Sequence, residues 1–301
     1  MEQEIRRVGE GPVRYRRMGG SGPALVLLHG LASNGTRWNE LVRTSDELRE
    51  RWTVLVPDLR GQALSLYRGR MRSEDWVVDL AAMLDQEGFE DCVIGGHCLG
   101  ANVAARFARR WPQRVRGLIL VEPMLVEALT GTLGLLSRLR SLLRPLLALT
   151  LAANAIGLAR HRLPVLDLEE LDRETRRRMV NGAGMKALTR RYGSPLHDLR
   201  YVPVSSYLQG LLETLRPMPP WREIDAPTLV LLAAGGRFGD PGRLRRILAE
   251  LPEHAIVMLE AEHWIHAEQP EALQAHIENW LAGDPPGAFP SGHEALAPAQ
   301  D

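Results

Sequence analysis

Cys98 is the residue whose type and surroundings point most directly to chemistry. It stands within Gly95-Gly96-His97-Cys98-Leu99-Gly100, after the apolar run 92–94 and before the helical pattern ANVAARFARR. A strand that passes through a sharp turn into a helix presents its central side chain at the apex, the arrangement of a G-x-S-x-G nucleophile elbow. Cysteine here replaces the serine. Gly96 and Gly100 remove side chains that would collide with a neighbouring strand or helix. A thiol at a helix N-terminus sits in positive potential, so the turn is expected to favour thiolate. Attack by that sulfur on an activated carbonyl would give an acyl-thioester. The second cysteine, Cys92, begins the same strand and reads as a small core residue. An extended stretch between them holds the two too far apart for a disulfide.

The elements needed to position such a turn are present. Short runs rich in Val, Ile and Leu at 24–28, 53–56, 92–94, 117–121, 228–232 and 255–259 alternate with helical patterns at 36–50, 73–87, 99–110, 241–250 and 270–281. This alternation predicts an α/β fold with a mostly parallel sheet. Residues 13–18 add an expected antiparallel edge strand. Between about Pro123 and Asp225 the strand-like runs stop, and Leu, Arg and Ala dominate. The expected organisation is a first core part over 1–122, a helical lid over 123–226, a second core part over 227–282, and a disordered tail over 283–301. The lid is placed over the site because an insertion leaving the carboxyl end of a parallel strand lies above the crevice where such sheets bind ligands. Within it, residues 145–159 carry no charge. They are too few to span a bilayer comfortably, and they read as a buried helix lining an apolar pocket. Contact with a membrane surface is the alternative.

Several segments besides the elbow resemble the α/β-hydrolase superfamily, over about residues 10–282. Leu27-Leu28-His29-Gly30 resembles the family's His-Gly turn after its third strand, and Val56-Pro57-Asp58-Leu59-Arg60-Gly61 resembles the segment after its fourth. The resemblance implies an oxyanion hole made by the backbone N–H groups of Leu31 and Leu99. It also maps the catalytic base onto His263, which leaves the run 255–259. Histidine suits that role because its ordinary pKa lets it take and return a proton near neutral pH. His97, beside the nucleophile, reads as a packing or surface residue.

The acid departs from the family pattern. In Pro227-Thr228-Leu229-Val230-Leu231-Leu232-Ala233-Ala234-Gly235-Gly236-Arg237, the position that normally carries the catalytic aspartate is Gly236. Glu122, just after the run 117–121, is the first candidate to replace it, and Asp240 is the alternative. A triad without an acid is the third reading. Cys98, Glu122 and His263, with the vacancy at Gly236, are similar to a smaller group, the cysteine Dieckmann cyclases of tetramate and pyridone biosynthesis. That likeness implies a small-molecule or carrier-protein-bound acyl substrate.

Composition narrows the partners. The 301 residues are 45% hydrophobic and 25% charged, enough for one large core with an accessory part. The 37 basic and 37 acidic residues cancel, so no global charge draws nucleic acid. No metal-ligand spacing or phosphate-binding glycine loop is visible, so no metal or cofactor is expected. The N-terminus has no apolar run, and no transmembrane segment is read, so the expected location is cytoplasmic. Three functions remain open: acyl transfer or cyclisation, ester or thioester hydrolysis, and non-catalytic ligand binding on the same fold.

Overall fold

The computed structural model describes residues 3–160, 162–178 and 192–283. The expected tail lies outside them beyond Gly283. Each of the six apolar runs forms a strand: β3 (Ala24–Leu28), β4 (Thr53–Pro57), β5 (Cys92–His97), β6 (Val115–Val121), β7 (Thr228–Ala233) and β8 (His254–Leu259). All pair in parallel, in the spatial order β4-β3-β5-β6-β7-β8. Every residue of β3, β4, β5 and β7 is buried. Helices on both faces explain why these strands read as continuous apolar runs and not as alternating ones.

The strand expected at 13–18 forms as β2 (Arg14–Gly19), antiparallel to β4, but it is not the edge. A further strand, β1 (Glu4–Arg7), pairs outside it. Its sequence EIRR offers one apolar residue and no periodicity. Its place is fixed by the ladder and by ion pairs that bring Arg6 and Arg17 onto Glu87 at 2.7 and 3.2 Å.

The helical pattern at 36–50 is broken in two. A 3-10 turn (Gly35–Trp38) leads into α1 (Asn39–Thr44), and Ser45 then adopts an extended conformation and caps α2 (Asp46–Arg51) by accepting the N–H of Leu48 at 3.1 Å. Serine competes with helix continuation by offering that local bond. The patterns at 73–87 and 99–110 form α3 (Ser73–Glu87) and α4 (Leu99–Arg110).

Between β6 and β7 the described residues carry only helices: α5 (Gly131–Arg138), α6 (Leu143–Ala155), α7 (Leu168–Arg178), α8 (Pro195–Asp198) and α9 (Val204–Thr214). After β7 come α10 (Pro241–Leu248), α11 (Ile265–Glu268) and α12 (Pro270–Ala282). A buried ion pair fastens the inserted helices to the core, with Arg37 Nη1 donating to Asp172 Oδ1 at 2.6 Å. The Tyr192 hydroxyl donates to the same carboxylate oxygen at 2.5 Å.

The reading of 145–159 as a buried pocket helix is overturned. No residue of α6 is buried, and Leu149 is 67% exposed. The helix is apolar nearly all round, and α9 covers only one side of it.

The elbow glycines give a stability test. A Cβ on Gly96 would lie 2.4 Å from the carbonyl carbon of Gly100, whereas one on Gly88, also a tight-turn glycine, would meet nothing within 4 Å. Gly96→Ala should therefore lower stability by roughly 1–3 kcal/mol through backbone overpacking. Gly88→Ala should cost only its left-handed backbone, about 1–2 kcal/mol. Denaturant midpoints of the two variants check this, and a smaller loss in Gly96→Ala than in Gly88→Ala would mean that the elbow yields.

Candidate active site

Cys98 takes φ +55° and ψ −117°, strained for a residue with a side chain, between β5 and α4. Its N–H donates to Val121 O at 3.0 Å, which ties the elbow to the end of β6. The backbone N–H groups of Leu99 and Leu31 reach its sulfur. Leu31 is held there by the preceding turn. His29 Nδ1 bonds Gly30 O at 2.8 Å, and Leu59 N–H donates to His29 Nε2 at 2.9 Å, so the buried ring pins the turn from both nitrogens. Gly30 packs closely on the nucleophile turn: a Cβ there would lie 3.2 Å from Cys98 Cβ, a contact that its neighbours would have to relieve by a few tenths of an ångström.

Burial pushes the Cys98 thiol up to about 12, against the downward pull of the Leu99 and Leu31 N–H groups. This corrects the expectation that the helix N-terminus favours thiolate. Loss of water outweighs the helix end and its two donors, so the resting group is a thiol and needs a base. Cys92 is fully buried and also pushed up to about 12.

That base has its orienting partner. A hydrogen bond of 3.0 Å joins His263 Nδ1 and Glu122 Oε2, while the Ala233 N–H donates to Glu122 Oε1 at 2.6 Å. Both side chains are buried, and Glu122 takes the left-handed φ of +50°. With Nδ1 engaged, Nε2 is the ring nitrogen left to accept the thiol proton once Glu122 is ionised and the ring's one proton sits on Nδ1. Burial pushes Glu122 up to about 8, opposed by the Ala233 N–H. Burial, with the nearby Arg37 charge, takes His263 down to about 3. Low polarity around both groups favours a pair with no net charge, with one proton held between Oε2 and Nδ1.

Asp240, the alternative acid, lies elsewhere in role and place. It is the N-cap of α10, its carboxylate accepting the Arg243 N–H at 2.6 Å. Gly236 has φ +63°, and a Cβ there would fall 2.8 Å from Gly239 O, so the loop is shaped around the lack of a side chain.

Several supporting residues were not read from the sequence. Glu268 accepts N–H groups from Glu262, His263 and Trp264 at 2.8, 3.2 and 2.8 Å and so shapes the turn that carries the base. His97 is not a surface residue: its Nε2 bonds His263 O at 3.1 Å, and its ring centroid lies 4.8 Å from that of His263. Asn102 exchanges two hydrogen bonds with the backbone of Met124, at 2.7 and 3.0 Å, fixing the chain just past Glu122. A carboxylate five residues after the base was the one visible signal for Glu268. The others are long-range contacts.

Cys98 and His263 line one cavity of about 190 Å³, with room for several waters or a modest acyl group. The inserted helices and the turns beside them roof it with Leu133, Leu168, Leu211, Tyr192 and Tyr207, together with Asp198. The apolar wall expected from 145–159 comes from these residues instead.

The shifts predict how stability follows pH. Glu122 binds its proton more tightly in the folded state, so its contribution is full below 4.5 and is lost as pH rises to about 8. His263 is the reverse: its neutral ring contributes fully above 6.5, and that is lost as pH falls to about 3. The stability difference between Glu122→Gln and the unmodified protein should therefore move in the variant's favour from pH 4.5 to pH 8, read by denaturant midpoints. A difference flat across that interval would mean that Glu122 is not buried as a carboxyl group.

Comparison with known proteins places this geometry. An uncharacterized protein of Mycobacterium tuberculosis is 36% identical over 146 residues, 45% of this chain, and the match spans 38% of that relative's length. The sn-1-specific diacylglycerol lipase ABHD11 of Mus musculus is 24% identical, over 90% of this chain and 85% of its own. The crystal structure of a hydrolase from Pseudomonas aeruginosa superposes with a TM-score of 0.66 at 19% identity, covering 93% of this chain and 98% of the other. The alpha/beta hydrolase family model matches residues 25–275, from within β3 through the first turn of α12, and the chain therefore belongs to that family.

Proposed function

We propose that this enzyme of the α/β-hydrolase class cleaves an ester or thioester through a covalent acyl-Cys98 intermediate. The observation that carries this reading is the cavity shared by Cys98 and a His263 already bonded to Glu122. His263 Nε2 takes the thiol proton as sulfur adds to the substrate carbonyl. The resulting oxyanion accepts the N–H groups of Leu31 and Leu99, which already face the sulfur. Collapse breaks the bond to the leaving group, which takes the proton back from His263. A second nucleophile, delivered with its proton to Nε2, then displaces sulfur and restores the thiol.

Water as that nucleophile makes the protein a hydrolase, in keeping with its family. A second reading, transfer to a nucleophile within the acyl chain with release of a ring, is favoured by one observation: sulfur replaces oxygen beside a wall of apolar side chains. A thioester stays activated toward carbon and nitrogen nucleophiles as well as toward water.

Incubation with a simple acyl thioester should place one acyl group on Cys98 by intact mass, and iodoacetamide should modify Cys98 faster than Cys92. Cys98→Ala should abolish both labelling and turnover. Turnover that survives in Cys98→Ala would remove the acyl-enzyme, and a lack of labelling with turnover also absent would leave a binding protein. Free linear acid in single-turnover mass spectrometry identifies the hydrolase; a cyclic product from a substrate with an internal nucleophile identifies the cyclase.

Glu122→Gln should lower kcat more than Asp240→Asn, since only Glu122 orients His263. In a serine triad the orienting carboxylate is worth about 10⁴-fold; a thiol nucleophile should lose less. Because Nε2 acts as base when Glu122 is ionised, kcat/KM should rise with pH toward about 8 and lose that dependence in Glu122→Gln. A larger loss in Asp240→Asn would reassign the acid.

A further inference from the structure

The segment that failed to line the cavity has a face of its own. Leu135, Leu139, Leu142, Leu146 and Leu149 fall at alternating four- and three-residue spacing from α5 through the 3-10 turn Arg140–Leu142 into α6, and Ile156, the C-cap of α6, follows seven residues on; all six are exposed. Their exposures run from 43% at Leu139 to 75% at Ile156. The opposite side of α6 packs on α9, where Asn154 Nδ2 donates to Ser205 Oγ at 2.8 Å. A helix apolar nearly all round belongs in a core or against lipid, and no residue of this one is buried. Its 13 residues cover about 20 Å, short of a bilayer's roughly 30 Å hydrocarbon layer.

Charge selects the occupant. From Ala128 to Leu166 the sequence holds Arg138, Arg140, Arg144, Arg160 and Arg162 and no Asp or Glu. Arg138, Arg144, Arg160 and Arg162 are exposed. Arg140 and Arg160 donate to the carbonyls of Leu215 and Leu199, neutral acceptors that leave their charge in place. A second copy of this chain would bring the same arginines to the face and no acid from this segment to meet them. An anionic lipid surface supplies both an apolar layer for leucine and phosphate for arginine.

We propose that the outer face of α5 and α6 is a docking surface for an anionic bilayer. Leu142, Leu146, Leu149 and Ile156 enter the acyl boundary, and the arginines meet headgroup phosphates. The face lies one helix, α9, away from the cavity that Tyr207 and Leu211 of α9 help to line. Docking therefore sets the roof of the cavity on the membrane.

The test is sedimentation of the full chain with vesicles of phosphatidylcholine alone and of phosphatidylcholine with phosphatidylglycerol. Binding should require phosphatidylglycerol and weaken with salt. Arg138→Gln and Arg144→Gln should each lower partitioning roughly fivefold. Leu142→Glu/Leu149→Glu should abolish it while leaving the melting temperature and the rate of Cys98 modification unchanged, because both side chains are already solvated. No binding to either vesicle, or binding undiminished in the double variant, overturns the proposal. A dimer in size-exclusion chromatography with light scattering that the double variant dissociates, with no vesicle binding, assigns the face to a second copy and overturns it too.

Discussion

The hydrogen bond between His263 and Glu122 is the constraint around which the rest of the site is arranged. Its partners are 141 residues apart and leave the carboxyl ends of β8 and β6. Those strands are not neighbours; β7 lies between them. Two strand spacings amount to about 9.6 Å, and the Glu122 and His263 side chains together meet across that gap over the end of β7. On the way one carboxylate oxygen takes the Ala233 N–H at the end of β7, and the other meets the imidazole. An acid supplied from β7 itself, at Gly236, would stand one strand closer.

Holding this bond costs backbone and solvation energy, and the fold offsets both with packing. Cys98 and Glu122 each take positive φ, and each is tethered by its own N–H: Cys98 to Val121 O at 3.0 Å and Glu122 to Leu231 O at 2.9 Å. The two strained residues are thus linked through successive strand ends, so Cys98 and Glu122 are fixed by one ladder. Burial pushes the thiol and the carboxyl up and the imidazole down. In such surroundings the resting site carries no net charge. In that state Nε2 carries the ring's other proton, so ionisation of Glu122 must free Nε2 before the thiol proton moves, and the oxyanion then forms beside donors already in place.

The inserted helices connect this site to the surface. The Arg37–Asp172 pair is buried on both sides, and removal of either partner would strand a charge, a loss of about 3–5 kcal/mol. Through it the roof is fastened to the turn after β3, close to the oxyanion donor Leu31. Arg37 also lies in the cavity wall and adds to the downward shift of His263. The same residue therefore anchors the roof and tunes the base.

The sequence by itself determined the parts whose signal is local. The six parallel strands were legible as apolar runs, most plainly β3, β4, β5 and β7, which are covered on both faces and so are continuously apolar. The elbow was legible because only glycine fits at positions 96 and 100. His263 was found from its exit off a strand, and the absence of an acid at Gly236 was visible as a missing side chain. Tertiary structure decided what depends on partners far along the chain. It brought Glu122 and not Asp240 to the imidazole, because only the order of β6, β7 and β8 reveals which carboxylate reaches it. It turned His97 from a bystander into a support of His263, and it added β1, whose four residues have no apolar pattern and are held by pairing and by Glu87. It set the thiol's resting state, since the helix end is visible in sequence but the burial that outweighs it is not. It also sent the leucines of 145–159 outward, because a run that is apolar on every side does not record which side the core covers.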